Sequence, residues 1–464
     1  MRFHRPAGSS SATAMAGTDR LIPAIAIAAL ILAFTLPGLF AAESQAYPSI
    51  AAQAKKACAK KKGKARSACV RNKTKQLNRE KGVVGVMTRN LYLGADLGPA
   101  IRSTSLDGFF RANGQILRDV DANNFPVRAR GLAAEIKAKA PDLVGLQEVA
   151  LWRTGEAGVI RIKPGSAPES FTTNTVKYDF LKLLMDQLNK GGKRYEVVKV
   201  TTEFDFQGPA FYDEDPNMVA PDINGRLTMR DVILARVGAG VRWSNPQGEN
   251  YDTIYAPRIS GVPVTVDRGW NSVEVQVRNS PKFKFVNTHL EAFGDDKNQV
   301  VDCMVPPLAP FDTNPVSIRC SQAKELYEKQ IGPSQIPVVA VGDFNSDDDT
   351  VIDANCPSAA NTAGTLTGNN GGVCGDTFAF NALKTLGMRD LNPGNPMSCC
   401  LKSDFLSVNN GGSKTDFDHY IDHVLTREYD PVNYISSSIT GLEPANGYWN
   451  SDHAGGYTRV RIGS

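Results

Sequence analysis

The chain has only five histidines in 464 residues, no C-x-x-C pair among its eight cysteines, and no internal repeat. The absence of C-x-x-C spacing excludes a zinc-ribbon type of structural metal centre. The absence of a repeat excludes a solenoid or a propeller. Acidic residues are locally scarce as well: residues 47–81 hold one, against twelve Lys or Arg, for a charge of +11. Residues 1–46 carry +1, so the remaining 383 carry −8. A body of that sign exerts no general pull on nucleic acid. The basic segment is suited to a phosphate backbone, an anionic bilayer or an acidic wall polymer, or is simply a solvated charge run.

What is present is the composition of a globular protein, 42% hydrophobic and 22% charged, with length for one large domain or two ordinary ones. Residues 1–46 differ. Arg2, Arg5 and Arg20 precede an uncharged run from Leu21 to Ala42, followed by Ser44-x-Ala46, the pattern of a secretory signal. Pro37-Gly38 favours cleavage. The run has 22 residues and about 20 span a bilayer, so an uncleaved anchor is the alternative. Met15 would give the shorter leader such signals usually have. Either way the expected location is secreted, or anchored on the extracytoplasmic side. The expected division is a signal or anchor over 1–46, a basic segment over 47–81 and a catalytic domain over 82–464.

Eight cysteines in an exported chain point to disulfides. Cys58 and Cys69 would stand about 16 Å apart on one straight helix, beyond disulfide reach, so a hairpin turning near Gly63 and closed by that bond is expected. Cys303 with Cys320 and Cys356 with Cys374 would staple polar loops, leaving the adjacent Cys399 and Cys400.

From residue 83 onward, strand-like runs end abruptly in polar residues: Val83 to Thr88, Asp142 to Leu146, Asp231 to Ala235, Phe283 to Val286 and Pro337 to Val341. Helical periodicity falls between them over Val127 to Ala138, Tyr178 to Leu188 and Ser321 to Ile331. The alternation argues α/β architecture. The stretches 152–175, 207–227, 293–318, 346–376 and 392–416 lack periodicity and read as long loops around one rim.

The chemistry sits at the strand ends. Asn90 closes the first strand with an amide, alone more often a turn former. Glu148 ends a buried run with a carboxylate, a hard ligand suited to magnesium or manganese. In FKFVNTHL, alternation puts Asn287 and His289 on one face. In VVAVGDFN, Asp343 and Asn345 share a face and Gly342 permits close backbone approach. An acid plus an amide there can orient a water and hold a phosphoryl oxygen. DHYIDHVL, read as a strand, separates Asp418 and Asp422 from His419 and His423. Ser451-Asp452-His453 adds the last histidine, with a carboxylate beside it.

The ordered set TRN, LQE, NTHL, GDFN, ID and SDH resembles the endonuclease/exonuclease/phosphatase superfamily from about Val83 to the C-terminus. The resemblance implies a four-layered α/β sandwich, two packed mixed β-sheets flanked by helices. Carried over by position, it implies that Glu148 holds an essential divalent ion, Mg2+ or Mn2+ with Ca2+ as a further candidate, helped by Asn90 and Asp452. Asp343 and Asn345 would align water and phosphoryl group, and Asp422 would orient His453. His289 would contact a phosphate oxygen or assist the leaving group as an imidazolium. The family often has Arg-Ile-Asp-Tyr where this chain has Tyr420-Ile421-Asp422-His423. Asp231 stands where an Asn is common and is a candidate site residue, while Arg268-Gly269-Trp270 and the helix starting at Arg319, with Gln322 and Glu325, also resemble the family but are read as packing and left out of the catalytic set.

The implied activity is metal-dependent phosphoester hydrolysis by a monomer, first on nucleic acid and next on a phospholipid or sphingomyelin headgroup, as in phospholipase C-like enzymes. A phosphomonoester comes third. A non-catalytic surface-binding module is the reading from another class, against which the retention of all six motifs argues.

Overall fold

The computed structural model describes residues 48–162, 171–215, 217–295, 302–304, 316–347, 377–392, 394, 396–401 and 405–463. The apolar run Leu21 to Ala42, the cleavage site and the pair Cys356 with Cys374 lie outside them. Among the described residues no helix is long and apolar enough to cross a membrane.

Two mixed sheets carry the body. In the nine-stranded sheet the order across the centre is Val432–Thr440, Gly455–Ile462, Val83–Asn90, Leu143–Gln147, Ile223–Arg236, Leu151–Glu156 and Thr175–Asp179, with Tyr195–Ala210 also pairing along Ile223–Arg236. The six-stranded sheet runs Met388–Asp390, Asp422–Arg427, Val338–Asp343, Phe283–His289, Gly269–Val277 and Val241–Asn250. Val83–Asn90 beside Leu143–Gln147 and Phe283–His289 beside Val338–Asp343 are parallel pairs. These four strands read as continuous apolar runs because both faces are covered.

The layers follow from which alternate residues meet. Val84, Val86, Leu143 and Ile233 of one sheet pack against Val273, Phe283, Phe285, Val339 and Val341 of the other. On the outer face of the larger sheet, Met87, Val144 and Leu146 pack under the helices Leu106–Ala122, Phe125–Lys139 and Phe180–Leu188. Val286, Val338 and Ala340 pack under Ile318–Leu326 and Phe378–Thr385. This is the four-layered sandwich expected. Gly145 sets the sheet spacing at its centre, since a Cβ there would lie 2.2 Å from Asn287 Oδ1.

Two of the five expected loops are partly strand. Leu151–Glu156 and the long neighbours Tyr195–Ala210 and Ile223–Arg236 run through 152–175 and 207–227. Their half-polar sequences are stabilised by ladder pairing and by the helix Leu106–Ala122 packed on them. That helix has Ser105 as its cap and touches the sheet where Gly114 admits the Phe211 carbonyl.

The basic segment forms two helices, Ile50–Ala57 and Gly63–Arg79, joined by Cys58–Cys69 with a Cα separation of 5.9 Å. The longer helix has no buried residue. Cys303–Cys320 is also formed, and Cys399 is bonded to Cys400. The hairpin enters the sheet at Val83, seven residues from Asn90, so about 23 Å of strand separates it from the chemistry-bearing end. It is not a wall of the site.

Candidate active site

Register explains why residues far apart in sequence meet. In the smaller sheet His289 pairs with Asp343, and Asp343 pairs with Asp422, which sets three chemical groups in one row. Gly342 makes the row tight: a Cβ there would lie 2.2 Å from Thr288 O. In the larger sheet Asn90 pairs with Gln147, the residue before Glu148. His453 arrives on the segment before the last strand and closes the row. Its ring Nδ1 lies 2.9 Å from Asp422 Oδ2, and its Nε2 lies 3.7 Å from Asp343 Oδ2.

Backbone geometry supports the placement. Tyr92, Glu148 and Asn345 have φ of 55°, 53° and 47°. Non-glycine residues sit in that region only where their surroundings hold them. Glu148 Oε2 accepts from Leu93 N at 2.6 Å, and Arg319 donates to Asn345 O at 2.7 Å. Two buried arginines that the sequence reading passed over clamp the strand ends. Arg89 donates to His453 O while pairing with Glu135 at 3.1 Å, and Arg128 donates to Leu91 O, Tyr92 O and Asn450 O.

Asp343 is the hub. Its Oδ2 accepts from Asn90 Nδ2 at 2.9 Å and lies 3.6 Å from His289 Nε2, and its Oδ1 accepts from the Asn345 amide at 3.0 Å. Burial pushes its carboxyl up to about 7, helped by Asp422 and opposed by His453. His453 moves the other way from most buried histidines: desolvation lowers it, but Asp422, Asp452 and Asp343 together outweigh that and hold it well above its ordinary value.

Asn90 differs from expectation in what it already holds. Its amide nitrogen is committed to Asp343 and its oxygen accepts from Tyr92 N at 2.8 Å. Only the second lone pair of that oxygen remains for an ion, so bracing Asp343 is the role its contacts give it. His289 differs more. Burial, and then the Arg268 charge, push its pKa well below the ordinary value, so it is neutral rather than an imidazolium. Arg268 Nη1 stands 3.1 Å from His289 Nδ1 and a guanidinium only donates, so the proton sits on Nε2, facing Asp343.

Arg268, assigned to packing from sequence, thus belongs to the site's wall. The available signal was an arginine directly before a buried strand. Asn287 bridges the sheets through Gln147 rather than entering the cavity. His423 lies on the opposite face, its Nε2 2.8 Å from Ser346 O and its ring among Phe344, Phe380 and Tyr420. His419 pairs with Asp418. The segment 418–421 precedes the strand Asp422–Arg427 rather than extending it.

Glu148, Asp452, Asp343, Asn345, His289 and His453 line one half-open cavity. The donor chemistry fits a hard divalent ion. Asp452 is pushed up to about 6, by burial first and, against the pull of His453, by Glu148. Two carboxylates that repel each other across an open cavity are what a cation would relieve.

Asp231 lies behind this cavity, fully buried beside Glu203 and within ligand distance of His289. Beyond an approach by the Gly269 amide, the oxygens of Glu203 and Asp231 have no donor, so a proton shared between the two carboxyls satisfies them. Burial raises Glu203 to about 8 and Asp231 well above its usual range. As pH rises through 4.5 the unfolded carboxyl ionises while the folded one keeps its proton, so this group costs stability progressively up to pH 8. Glu203→Gln, which replaces the shared proton by an amide donor, should therefore change Tm little near pH 4. Near pH 8 it should stabilise by on the order of 3 kcal/mol, read as the pH dependence of thermal unfolding.

The ordered motifs close on one site. The chain resembles the endonuclease/exonuclease/phosphatase superfamily in motif order, layers and strand-end constellation. No family model and no curated protein matches it. Among solved structures, it is similar to an endonuclease/exonuclease/phosphatase from Beutenbergia cavernae, at 16% identity over 83% of this chain and 72% of that one, TM-score 0.42. One from Bacteroides vulgatus is 13% identical over 82% and 100%, TM-score 0.44. The mannosyl-6-phosphatase Bt3783 of Bacteroides thetaiotaomicron is 12% identical over 81% and 99%, TM-score 0.42.

Proposed function

We propose that the chain is a divalent-metal-dependent phosphodiesterase, of nuclease type in the first reading, in which water attacks phosphorus. One observation carries this: the row His289, Asp343 and Asp422, closed by His453, faces Glu148 and Asp452 across a single cavity. Glu148 and Asp452 would hold Mg2+ or Mn2+, which supplies neutralisation of phosphoryl charge when bound.

The chain's own groups account for the rest. Asp343, pushed up to about 7, accepts the proton of the attacking water near neutral pH. Asn345 donates its amide nitrogen to Leu290 O at 2.9 Å, which turns its oxygen toward the cavity to orient that water. The Nε2 proton of His289 meets a non-bridging phosphoryl oxygen. His453, kept protonated, gives its Nε2 proton to the departing oxygen. The water oxygen forms the new P–O bond as the ester P–O bond breaks, and the products are a phosphomonoester and an alcohol.

The test is turnover of bis(p-nitrophenyl) phosphate with magnesium or manganese. Turnover should vanish in excess chelator and return on adding the ion. Turnover unaffected by chelator removes the metal from the reading, and none under any metal revives the non-catalytic module.

The exposed basic helices support a polyanionic substrate long enough to reach the far end of the sheet. Deleting residues 47–81 is expected to leave kcat/KM on the small ester unchanged while flattening the salt dependence of DNA binding. An unaltered salt slope makes the segment a spacer. A lipid-type phosphodiester is the second reading, favoured by an apolar cavity lined by Phe109, Ile116, Trp152 and Val264 that shares Arg268 with the site. The disulfides Cys58–Cys69 and Cys303–Cys320 support an oxidising, extracytoplasmic location.

A further inference from the structure

Cys399 and Cys400, bonded to each other rather than to distant cysteines, lie against His453. Cys399 Sγ stands 3.6 Å from His453 Nε2, and Cys400 lines the cavity that holds Glu148 and Asp452. The dipeptide is fixed through its backbone. Cys399 N donates to His419 O at 3.0 Å, Asp418 N and His419 N donate to Cys399 O, and Leu401 N donates to Asp452 O at 3.0 Å. None of these bonds involves sulfur, so opening the disulfide leaves two thiols in the same place. The hydrolysis described above uses neither sulfur.

Two thiolates and an imidazole are the donor set of a borderline-soft ion, above all Zn2+, and a poor one for magnesium. One ligand atom from each of Cys399, Cys400 and His453 lies within 4.8 Å of the other two. In a tetrahedral zinc centre, a sulfur at about 2.3 Å and a nitrogen at about 2.0 Å from the ion are themselves about 3.5 Å apart. The 3.6 Å between Cys399 Sγ and His453 Nε2 is such an edge. Asp422 Oδ2 holds His453 Nδ1 at 2.9 Å and so aims Nε2 at the sulfurs, as carboxylates orient the histidines of zinc centres.

We propose that the reduced pair and His453 bind Zn2+, and that the ion silences the site by occupying the nitrogen that would serve the leaving group. Opening the pair takes two electrons: a dithiol reduces the S–S bond to two thiols and is itself oxidised to a disulfide. Zinc then displaces both thiol protons and the Nε2 proton to solvent. Exchange with an oxidised dithiol reverses both steps and frees His453. Zinc binding stands on the geometry alone, whereas the silencing rests on the phosphodiesterase reading above.

Cobalt reads the centre without turnover, because thiolate ligands give Co2+ an intense near-ultraviolet charge-transfer band. The full chain is reduced with dithiothreitol, freed of it without air, and titrated with Co2+ and then Zn2+. The band should appear in the reduced protein, be bleached by zinc and be missing from the untreated protein. Cys399→Ser combined with Cys400→Ser keeps the other cysteines, so an equally strong band there assigns the ion to them and overturns the proposal. Cys400→Ser alone leaves the Cys399 thiol beside His453 with no reductant needed. It should give a weaker band that is lost when His453→Ala is added. A band unchanged by that addition, or no band in either the reduced wild type or Cys400→Ser, also overturns it.

With millimolar magnesium, micromolar zinc should lower turnover of bis(p-nitrophenyl) phosphate by the reduced protein about a hundredfold or more, the loss of a general acid. The untreated protein should be little affected. Equal inhibition of both forms would place the zinc on Glu148 and Asp452 and overturn the silencing. The cobalt band without turnover in any form would keep the zinc centre and reject the phosphodiesterase reading.

Discussion

His453→Ala should lower kcat on bis(p-nitrophenyl) phosphate by about 100- to 10,000-fold, the range of a positioned general acid, with folding intact. The fold should survive because the side chain lies at the edge of the cavity, 7% exposed, and its backbone stays clamped by Arg89. Asp422→Asn isolates the reason for that loss. Asp422 leads the charges that hold His453 protonated against burial, and its Oδ2 fixes the ring through Nδ1 at 2.9 Å. An imidazole whose pKa is raised stays charged below that value and loses its proton above it, so wild-type activity should fall on the alkaline side only as pH passes the raised value of His453. In Asp422→Asn this alkaline limb should move to lower pH. The acid limb, set by Asp343 near 7, should move down as well, because Asp422 also raises Asp343. A pH–kcat profile checks both. Near-normal turnover in His453→Ala, or an alkaline limb that stays put in Asp422→Asn, would falsify the assignment.

His453 was legible in sequence because a scarce residue type stood beside a carboxylate at a strand end, and its pairing with Asp422 was implied only by the family resemblance. The row that organises the site was legible for a similar reason: strand-final polar residues after apolar runs, with Gly342 marking where two backbones approach. Protonation was not legible. Nothing in NTHL says that His289 would lie against Arg268, because that contact is a cross-strand neighbour set by pairing of Phe283–His289 with Gly269–Val277. The expected imidazolium therefore becomes a neutral donor. The same limit hid the pair Glu203 and Asp231, which neighbouring strands bring together. The long strand Tyr195–Ala210 was missed because its pattern runs against burial: Thr201, Glu203, Asp205 and Gln207 are buried positions, so its stability comes from partners rather than from its own alternation. The basic hairpin was readable from Cys58, Gly63 and Cys69. Its location at the opposite end of the sheet from the chemistry was not, since composition carries no direction.

Glu148→Gln should reduce turnover at millimolar magnesium by about a thousandfold, corresponding to a few kcal/mol of lost charge stabilisation, with part of the rate recovered as magnesium is raised. Glutamine keeps the size and the contact to Leu93 N but removes the charge that, with Asp452, would face the ion. The positive φ of Glu148 remains tolerable because it is imposed by the turn after Gln147 and not by the carboxylate. The same substitution should lower Asp452 part of the way, since burial is the larger cause of its rise and the Glu148 charge adds to it. Asp452→Asn should show the matching weakening of metal dependence, while Asn90→Ala should act on Asp343, lowering kcat with a smaller change in apparent metal affinity. Magnesium titrations of the three variants separate these roles. An apparent metal affinity unchanged in Glu148→Gln and Asp452→Asn would move the ion away from this pair, toward Asp343, Asp422 and His453, whose ligand atoms also gather within 4.8 Å.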